Sequence, residues 1–347
     1  MNQELQQYML AQLEKLMGID STTSCCYEIE KYIKGEFESM GYAVKTFNRG
    51  GLLIDLGGTG EGIVLSAHAD DIGLMVRRIL PDGTLMVLPV GGVRPEYADL
   101  ANVRVYTRAG KVYTGTIRRK SSCVHTNPME NFKKETAGGY DSNLVLVLDK
   151  AVSTEAEVTA LGIRCGDIVA IEPNFMFADD GYIKSRFLDD KACVAVLMAM
   201  AKAAAEKKLT PARHTWVHIA VTEETGMGAA YGLPEDITEF IALDIGCVAP
   251  GQYSSEHKAC ICARDARWAY DYSLISKLCE TGDKNGIDYA VDIYYPHYGS
   301  DVSGVLASGR DVRGVVVGPG VLTTHGYERT NVKALDNTYD LIEAYIR

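Results

Sequence analysis

The sequence lacks the features that would place the protein in a membrane, on nucleic acid or among disulfide-stabilised folds. Its longest apolar run, Ala192 to Ala201, is well short of the roughly 20 residues that a membrane-spanning helix needs. No block of lysine or arginine occurs and the formal net charge is −11, which argues against nucleic acid as a partner. The nine cysteines include no Cys-x-x-Cys pair, so we interpret them as reduced thiols.

The first residues also lack the basic start and apolar centre of a signal peptide. Residues 1–19 instead follow an amphipathic helix pattern, with Leu5, Met9, Leu13 and Leu16 on one face. We therefore expect a soluble protein in the cytoplasm, with no membrane partner. A chain of 347 residues exceeds one typical hydrophobic core and predicts about two domains.

The two ends of the chain alternate strand and helix patterns, whereas the middle contains strand patterns almost alone. Alternation predicts a mixed, largely parallel sheet with flanking helices, an α/β fold of the phosphorylase/hydrolase-like kind, formed by residues 1–72 and 178–347. Evenly spaced short strands predict a β-rich, barrel-like insert formed by residues 73–177. Within this insert, the polar segment Val124–Tyr140 predicts a mobile loop.

The individual elements follow from apolar periodicity and from turn residues. The predicted helices are two within residues 1–41, then Thr154–Leu161, Asp189–Ala205, Tyr270–Asn285 and Leu335–Ile346. The predicted strands are Ala43–Phe47, Leu52–Leu56, Ile63–Ser66, Thr84–Val87, Val103–Thr107, Val112–Ile117, Leu144–Leu148, Ile168–Ile171, Thr215–Thr222, Phe240–Leu243, Tyr289–Ile293 and Val312–Val317.

Five short segments carry histidine or carboxylate side chains, and four of them follow or end an apolar, β-branched run. The segments are Ala67–Asp70, Leu188–Lys191, Thr222–Gly226, Leu243–Gly246 and Thr324–Glu328. Open α/β sheets build their sites beyond the carboxyl ends of the strands, so these segments predict one shared site.

Each segment has an ordinary structural explanation when it is taken alone. A buried histidine explains His68, helix capping explains Asp189 and Asp190, and a turn explains Asp244. The adjacent carboxylates Glu223 and Glu224 are harder to explain, because a buried pair repels without a compensating cation.

Taken together, the segments favour a two-metal hydrolase. His68 and Asp70 are two apart and face one way in an extended segment, so His68 can bind a metal ion while Asp70 orients it. A carboxylate of the Asp189–Asp190 pair can bridge two cations. His325 lies in a glycine-rich loop, which also favours function. The imidazole and carboxylate ligands fit zinc first, with cobalt or manganese as alternatives.

These residues resemble a known family, the dinuclear metallo-aminopeptidases that form tetrahedral cytosolic particles, with relatives named glutamyl aminopeptidases or endoglucanases. The resemblance rests on the five segments and on Gly162–Asp167, and it covers nearly the whole chain. Three positions depart from the family pattern. Asp71 stands where many relatives have Glu, Ser300 where they often have Thr, and Cys193 at a usual Gly.

The resemblance implies a role for each site residue. Asp189 would bridge two metal ions, with a cis peptide bond to Asp190. The ligands of one ion would be completed by His68 and Asp244, and those of the other by Glu224 and His325. Glu223 would be the general base and Asp70 would orient His68.

The same resemblance implies an aminopeptidase that acts on short peptides, an insert that pairs subunits into dimers, and dimers that assemble into a dodecamer. Three other functions remain open at this point: a related deacylase or dipeptidase with the same metal core, a glycoside hydrolase, and a binding protein without activity. Glycoside hydrolysis needs two carboxyl groups and no metal, so it leaves the two histidines unexplained. Four residues are candidates for the substrate pocket: Arg264, Arg267, His297 and Asp301.

Overall fold

The computed structural model describes residues 1–121, 123–126, 130, 133 and 138–347, and its chain forms two compact units. One unit consists of Met1–Asp71 and Asn174–Arg347, and the other consists of Ile72–Pro173. The bounds that the strand patterns give for the insert, residues 73–177, stay a prediction. Much of the predicted loop Val124–Tyr140 lies outside the described residues.

The helices of the first unit flank its sheet. They are α1 (Gln3–Met17), α2 (Tyr27–Ser39), α5 (Leu188–Ala205), α6 (Tyr272–Asn285), α7 (Asp301–Ala307) and α8 (Val332–Ile346). The second unit contributes α3 (Pro95–Ala98) and α4 (Glu155–Ala160). Among the described helices, none is both long enough and apolar enough to cross a bilayer.

The strands are numbered in chain order. Those of the first unit are β1 (Val44–Thr46), β2 (Leu52–Gly57), β3 (Gly62–His68), β10 (Met176–Phe177), β11 (Tyr182–Ser185), β12 (Thr215–Ala220), β13 (Ile237–Leu243), β14 (Gly246–Val248), β15 (Ala259–Arg264), β16 (Tyr289–Ile293), β17 (Arg313–Leu322) and β18 (Glu328–Asn331). Those of the second unit are β4 (Gly73–Ile79), β5 (Leu85–Val90), β6 (Asn102–Tyr106), β7 (Val112–Arg119), β8 (Leu144–Leu148) and β9 (Ile168–Ile171).

The first unit contains a mixed twelve-stranded sheet with a parallel centre. Its main path runs β1-β2-β12-β3-β13-β17-β18-β11-β10. The four strands β12, β3, β13 and β17 are parallel to one another, whereas β2 and β18 pair antiparallel at either side of them. Because the four central strands run the same way, their carboxyl ends meet at one edge of the sheet, as the fold prediction requires.

Helix α5 is the central helix of this unit and explains the longest apolar run of the sequence. Every residue from Ala192 to Ala201 is fully buried, since the helix packs against β3, α1 and α8. A helix that is apolar on all sides is stable only when it is covered on all sides, as here. The apolar run is therefore a feature of the core.

The second unit is a closed antiparallel barrel, with strand order β4-β5-β8-β7-β6-β9. Alternate side chains point inward, so Leu74 and Val76 of β4 and Val103 and Val105 of β6 are buried. This agrees with the predicted β-rich insert.

Several short elements have no sequence prediction. Strands β11 and β18 have four residues each and pair with each other, and α7 begins at Asp301 with Ser300 and Ser303 forming a capping box. Strand β4 is also absent from the prediction because its polar residues Arg77 and Arg78 obscure the alternation. Such short segments adopt their structure from tertiary pairing, which local patterns do not encode.

A buried carboxylate at the start of β13 ties four parts of the first unit together. Glu239 accepts hydrogen bonds from Arg313 (2.9 Å), Tyr345 (2.7 Å) and Arg213. Burial alone would raise the pKa of Glu239, but the hydrogen bonds from Tyr345 and Arg213 and the charges of the two arginines outweigh burial and lower this pKa. The charged form of Glu239 therefore stabilises the fold that carries Asp244.

We expect Glu239→Gln to lower the free energy of unfolding at neutral pH by about 1.5–3 kcal/mol, because the charged hydrogen bonds are weakened. A carboxyl group whose folded-state pKa is lowered stabilises above its unfolded pKa, and this contribution disappears as the pH falls through the folded pKa. The difference between wild type and variant should thus shrink below pH 4.5, the ordinary glutamate value. Urea unfolding at several pH values measures it.

A matched control is Glu38→Gln, which removes an exposed carboxylate paired with Lys34 on α2. We expect this control to change the free energy of unfolding by less than about 0.5 kcal/mol at any pH. Equal effects of the two variants would contradict the role of Glu239.

Candidate metal centre

Neighbouring parallel strands bring the sequence-predicted site residues together. His68 is the last residue of β3, Asp244 directly follows β13, and Glu223 follows β12 after two residues. Strands β12 and β13 flank β3 in the sheet, so all three segments end at the same edge. Parallel pairing therefore accounts for the meeting of residues that are far apart in sequence.

The other two predicted ligands lie on segments with unusual backbone conformation. Phe187, two residues before Asp189, has a φ of 67°. The peptide bond between Asp189 and Asp190 is cis. His325 follows β17 and has a φ of 60°, and Thr323 before it has a φ of 62°. Residues other than glycine rarely adopt this left-handed region, and when they do the surrounding structure holds them, often at functional sites.

The predicted ligands form two compact groups that share Asp189. The first donor group consists of His68, Asp189 and Asp244, and the second donor group consists of Asp189, Glu224 and His325. Within each group the donor atoms lie within 4.8 Å of one another. The base candidate Glu223 forms a third set of this size with His68 and Glu224.

Asp189 directs one oxygen to each histidine. Its Oδ1 lies 3.2 Å from Nε2 of His68, whereas its Oδ2 lies 3.6 Å from Nε2 of His325. The same His325 nitrogen is 3.5 Å from Oε2 of Glu224. Oε2 of Glu223 lies 3.8 Å from Nε2 of His68. The two oxygens of Asp189 thus face two separate sets of donors.

Burial makes three carboxyl groups of this cluster, those of Glu223, Glu224 and Asp244, hard to ionise. It raises the pKa of Glu223 to about 8 against the opposing charge of His68, and the charges of Asp301, Asp189 and Asp70 raise it further. Burial also raises the pKa of Glu224 and of Asp244, with Asp189 as the next cause in each case.

Divalent ions fit this cluster. Oε1 of Glu224 is buried and has no hydrogen-bond partner among the residues that the structure describes. Cations bound among these donors would compensate the buried negative charge and reverse the pKa shifts. The mixture of imidazole nitrogen and carboxylate oxygen suits zinc, cobalt or manganese.

The carboxylate of Asp70 holds the backbone next to the donor groups. It accepts hydrogen bonds from the main-chain N–H of Glu223 (3.2 Å) and of Glu224 (3.3 Å), and from the hydroxyl of Thr23 (2.7 Å). Nδ1 of His68 lies 3.0 Å from the main-chain oxygen of Asp70 and 3.5 Å from its carboxylate. Asp70 thus contacts both His68, as the sequence suggests, and the Glu223–Glu224 segment, which sequence reasoning missed.

Two further buried carboxylates hold ligand backbone in the same way. Asp190 accepts the main-chain N–H of His68 (3.1 Å), and Glu328 accepts those of Asp189 (3.0 Å) and His325 (2.9 Å). Sequence reasoning assigned no such role to either residue. Asp190 and Glu328 both lie within the five segments that predict the site, and this position is the signal for them in the sequence.

The four candidate pocket residues are not members of these donor groups. Arg264, Arg267 and His297 are exposed, and the guanidinium of Arg264 lies over the ring of Tyr295, 4.9 Å from its centre. Asp301 is buried and accepts a hydrogen bond from Ser66 (2.5 Å).

Comparisons with known proteins agree with this site and fold. Residues 50–341 match the model of the peptidase M42 family, described as M42 glutamyl aminopeptidase. A Bacillus subtilis (strain 168) protein named "Putative aminopeptidase YhfE" is 33% identical over 337 residues, 96% of each chain. The lysyl aminopeptidase of Pyrococcus furiosus is 29% identical over 187 residues, 54% of this chain and 51% of that protein.

Among solved structures, the Pyrococcus horikoshii TET1 peptidase has the same fold. It superposes with a TM-score of 0.84 at 23% sequence identity, over 97% of this chain and 99% of that one. This likeness confirms the mixed α/β architecture with its barrel. With the family match over most of its length and a relative that spans nearly all of it, the chain belongs to the M42 family of aminopeptidases and is a peptide hydrolase.

Proposed function

We propose that this protein is an aminopeptidase that removes N-terminal residues from short peptides with two divalent metal ions. The observation that carries the proposal is the position of Asp189, whose two oxygens face two different histidines. A carboxylate in this position bridges two cations, and two cations about 3.5–4 Å apart are a common arrangement in hydrolases.

We assign the ligands from the two donor groups. His68, Asp189 and Asp244 would hold one ion, and Asp189, Glu224 and His325 would hold the other. Zinc is the first candidate, with cobalt or manganese as alternatives. Two bound divalent ions lower the pKa of a water molecule and polarise the carbonyl of the peptide bond that is cleaved.

Glu223 is the proposed general base. Its carboxylate lies beside the first donor group, with Oε2 3.8 Å from Nε2 of His68, and we assign it to neither ligand set. In the ionised form it takes a proton from the attacking water and delivers this proton to the leaving amine. Asp70 keeps Glu223 and Glu224 in place through their main-chain N–H groups.

The excess of carboxylates at the site favours a substrate with a free, positively charged amino group, and this explains cleavage at the N-terminus. The side chain that is preferred at this terminus is a separate matter. One relative is named a lysyl aminopeptidase and another a glutamyl aminopeptidase, after residues of opposite charge. We therefore propose short peptides as substrates and no preferred N-terminal residue.

Removal of metal should abolish hydrolysis of aminoacyl-nitroanilides, and added zinc, cobalt or manganese should restore it. The rate of nitroaniline release before and after chelation, with elemental analysis of the same samples, measures both effects. N-acetylated aminoacyl-nitroanilides are the matched control, because they lack the free amino group. Full activity in metal-free protein would contradict the metal mechanism. Release of acetate from the acetylated substrates, in preference to nitroaniline release from the free-amine substrates, would indicate a deacylase.

Glu223→Gln should lower kcat by about 10²–10⁴-fold, because the amide cannot accept the proton of the attacking water. Its metal content should equal that of the wild type. The neighbouring variant Glu224→Gln is the contrast, since we expect it to lose metal first. Unchanged turnover in Glu223→Gln would show that another group is the base.

We also propose that the protein works in the cytoplasm as an assembly, with dimers formed through the barrel unit and further association up to a dodecamer. Support comes from the P. horikoshii TET1 peptidase, which is described as assembling into a tetrahedron or a large octahedral shell. Exposed apolar side chains on the barrel unit, Leu100 and Val112, are consistent with a contact surface there.

Sedimentation velocity should detect species at two and at twelve times the chain mass of 37.8 kDa. The double variant Leu100→Lys and Val112→Lys should shift the distribution toward the single chain. Tyr272→Lys, at a more exposed site on α6 of the other unit, should retain dimers. A single-chain mass for the wild type would contradict the proposed assembly.

A further inference from the structure

Glu328 is a buried carboxylate of the metal centre that belongs to neither donor group. Its side chain is 1% exposed, and it stands at the first position of β18. Its Oε2 accepts the main-chain N–H of Asp189 at 3.0 Å, and its Oε1 accepts the main-chain N–H of His325 at 2.9 Å. Both oxygens are thus occupied by backbone donors.

These two contacts join parts of the chain that are distant in sequence. Asp189 and Glu328 are 139 positions apart, and antiparallel pairing of β11 with β18 places the Asp189 segment beside Glu328. His325 precedes Glu328 by three positions, in the loop that leaves β17. A single side chain therefore connects the segments of two proposed ligands.

Both segments need an external partner for their backbone. Phe187 and His325 have left-handed backbone conformations, and the backbone at Asp189 is not helical although α5 begins there. Regular helix or strand hydrogen bonds do not fix such segments, and a buried N–H group without a partner is costly. A carboxylate offers an acceptor on both oxygens, whereas an amide offers an acceptor on only one.

The other backbone-holding carboxylates act on different ligands. Asp190 accepts the N–H of His68, which belongs to the first donor group alone. Asp70 accepts the N–H groups of Glu223 and Glu224. Glu328 contacts the segments of two members of the second donor group, and one of these, His325, has no part in the first.

We propose that Glu328 is a positioning residue that sets the distance between Asp189 and His325 and thereby the affinity of the second donor group for its ion. This inference rests on the proposed two-metal function. Residues that orient metal ligands typically change metal affinity by 10–100-fold when they are replaced. The larger effect should fall on the second donor group, because Glu328 accepts from both Asp189 and His325 of that group, whereas of the first group it accepts from Asp189 alone.

The test is metal binding by the full chain in the absence of substrate. Chelator-treated wild type and Glu328→Gln are titrated with Zn²⁺ by calorimetry and with Co²⁺ by visible absorption. We expect two binding steps in the wild type. In Glu328→Gln one step should weaken by about 10–100-fold and the other should weaken less. The Co²⁺ absorption of the weakened step should also change, because ligand geometry sets that spectrum.

Two further variants make the result specific. His325→Ala removes a ligand of the second donor group only, so it identifies the binding step of that group, and Glu328→Gln should weaken the same step. Glu256→Gln is the matched control. Glu256 is another largely buried carboxylate, 13% exposed, and it pairs with Arg329 next to Glu328. It should lower stability without affecting either binding step.

Unchanged zinc affinities at both steps in Glu328→Gln, with only a lower melting temperature, would overturn the proposal and leave Glu328 a purely structural role. If Glu328→Gln does not fold, Glu328→Asp is titrated instead. It keeps both acceptors but is shorter by one methylene group, so the same step should weaken, and unchanged affinities would again overturn the inference. A wild type that binds no ion would refute the two-metal function itself, and this inference with it.

Discussion

The sheet edge at which β12, β3 and β13 end depends on the electrostatic repulsion among buried carboxylates and on how this repulsion is offset. Asp189, Glu223, Glu224 and Asp244 lie together in a buried cluster. Burial raises the pKa of Glu223, Glu224 and Asp244, so their ionisation requires compensation. Divalent cations are one form of compensation, and they suit the inner donors. Three further carboxylates, Asp70, Asp190 and Glu328, accept hydrogen bonds from main-chain N–H groups instead. For Asp190 and Glu328 these bonds oppose the rise in pKa that burial causes.

The topology of the sheet explains why these carboxylates meet. Parallel strands end at one edge of the sheet, so the residues that end or follow β12, β3 and β13 lie close together without long loops. The segments around Asp189 and His325 have irregular backbone. Their main-chain N–H groups therefore depend on a side-chain acceptor, and Glu328 accepts from both.

Much of this arrangement could be predicted from the sequence, for identifiable reasons. Short apolar runs such as Ile63–Ser66 favour buried strands, and the polar residues that follow them, His68 among them, stand out against the apolar background. The hydrogen bonds from main-chain N–H groups to Asp70, Asp190 and Glu328 could not be predicted, because every residue except proline has a main-chain N–H and the residue type therefore gives no signal. Glu328 in the sequence is only an acidic residue after a loop, and its partner Asp189 is 139 positions away. The short strands β11 and β18, which bring these two residues together, form by pairing with each other and were missed for that reason.

The hydrogen bond from the Thr23 hydroxyl to Asp70 affects where a shortened form of this enzyme can begin. The segment that matches the family begins at residue 50, yet Thr23 donates to Asp70, and the main chain of Thr23 pairs with that of Asp71. A fragment trimmed to residues 50–341, which the family model matches, would keep every proposed metal ligand and the proposed base. It would nevertheless lose the Thr23 hydroxyl that donates to Asp70, so the residues on which the site depends begin before those that the family model matches.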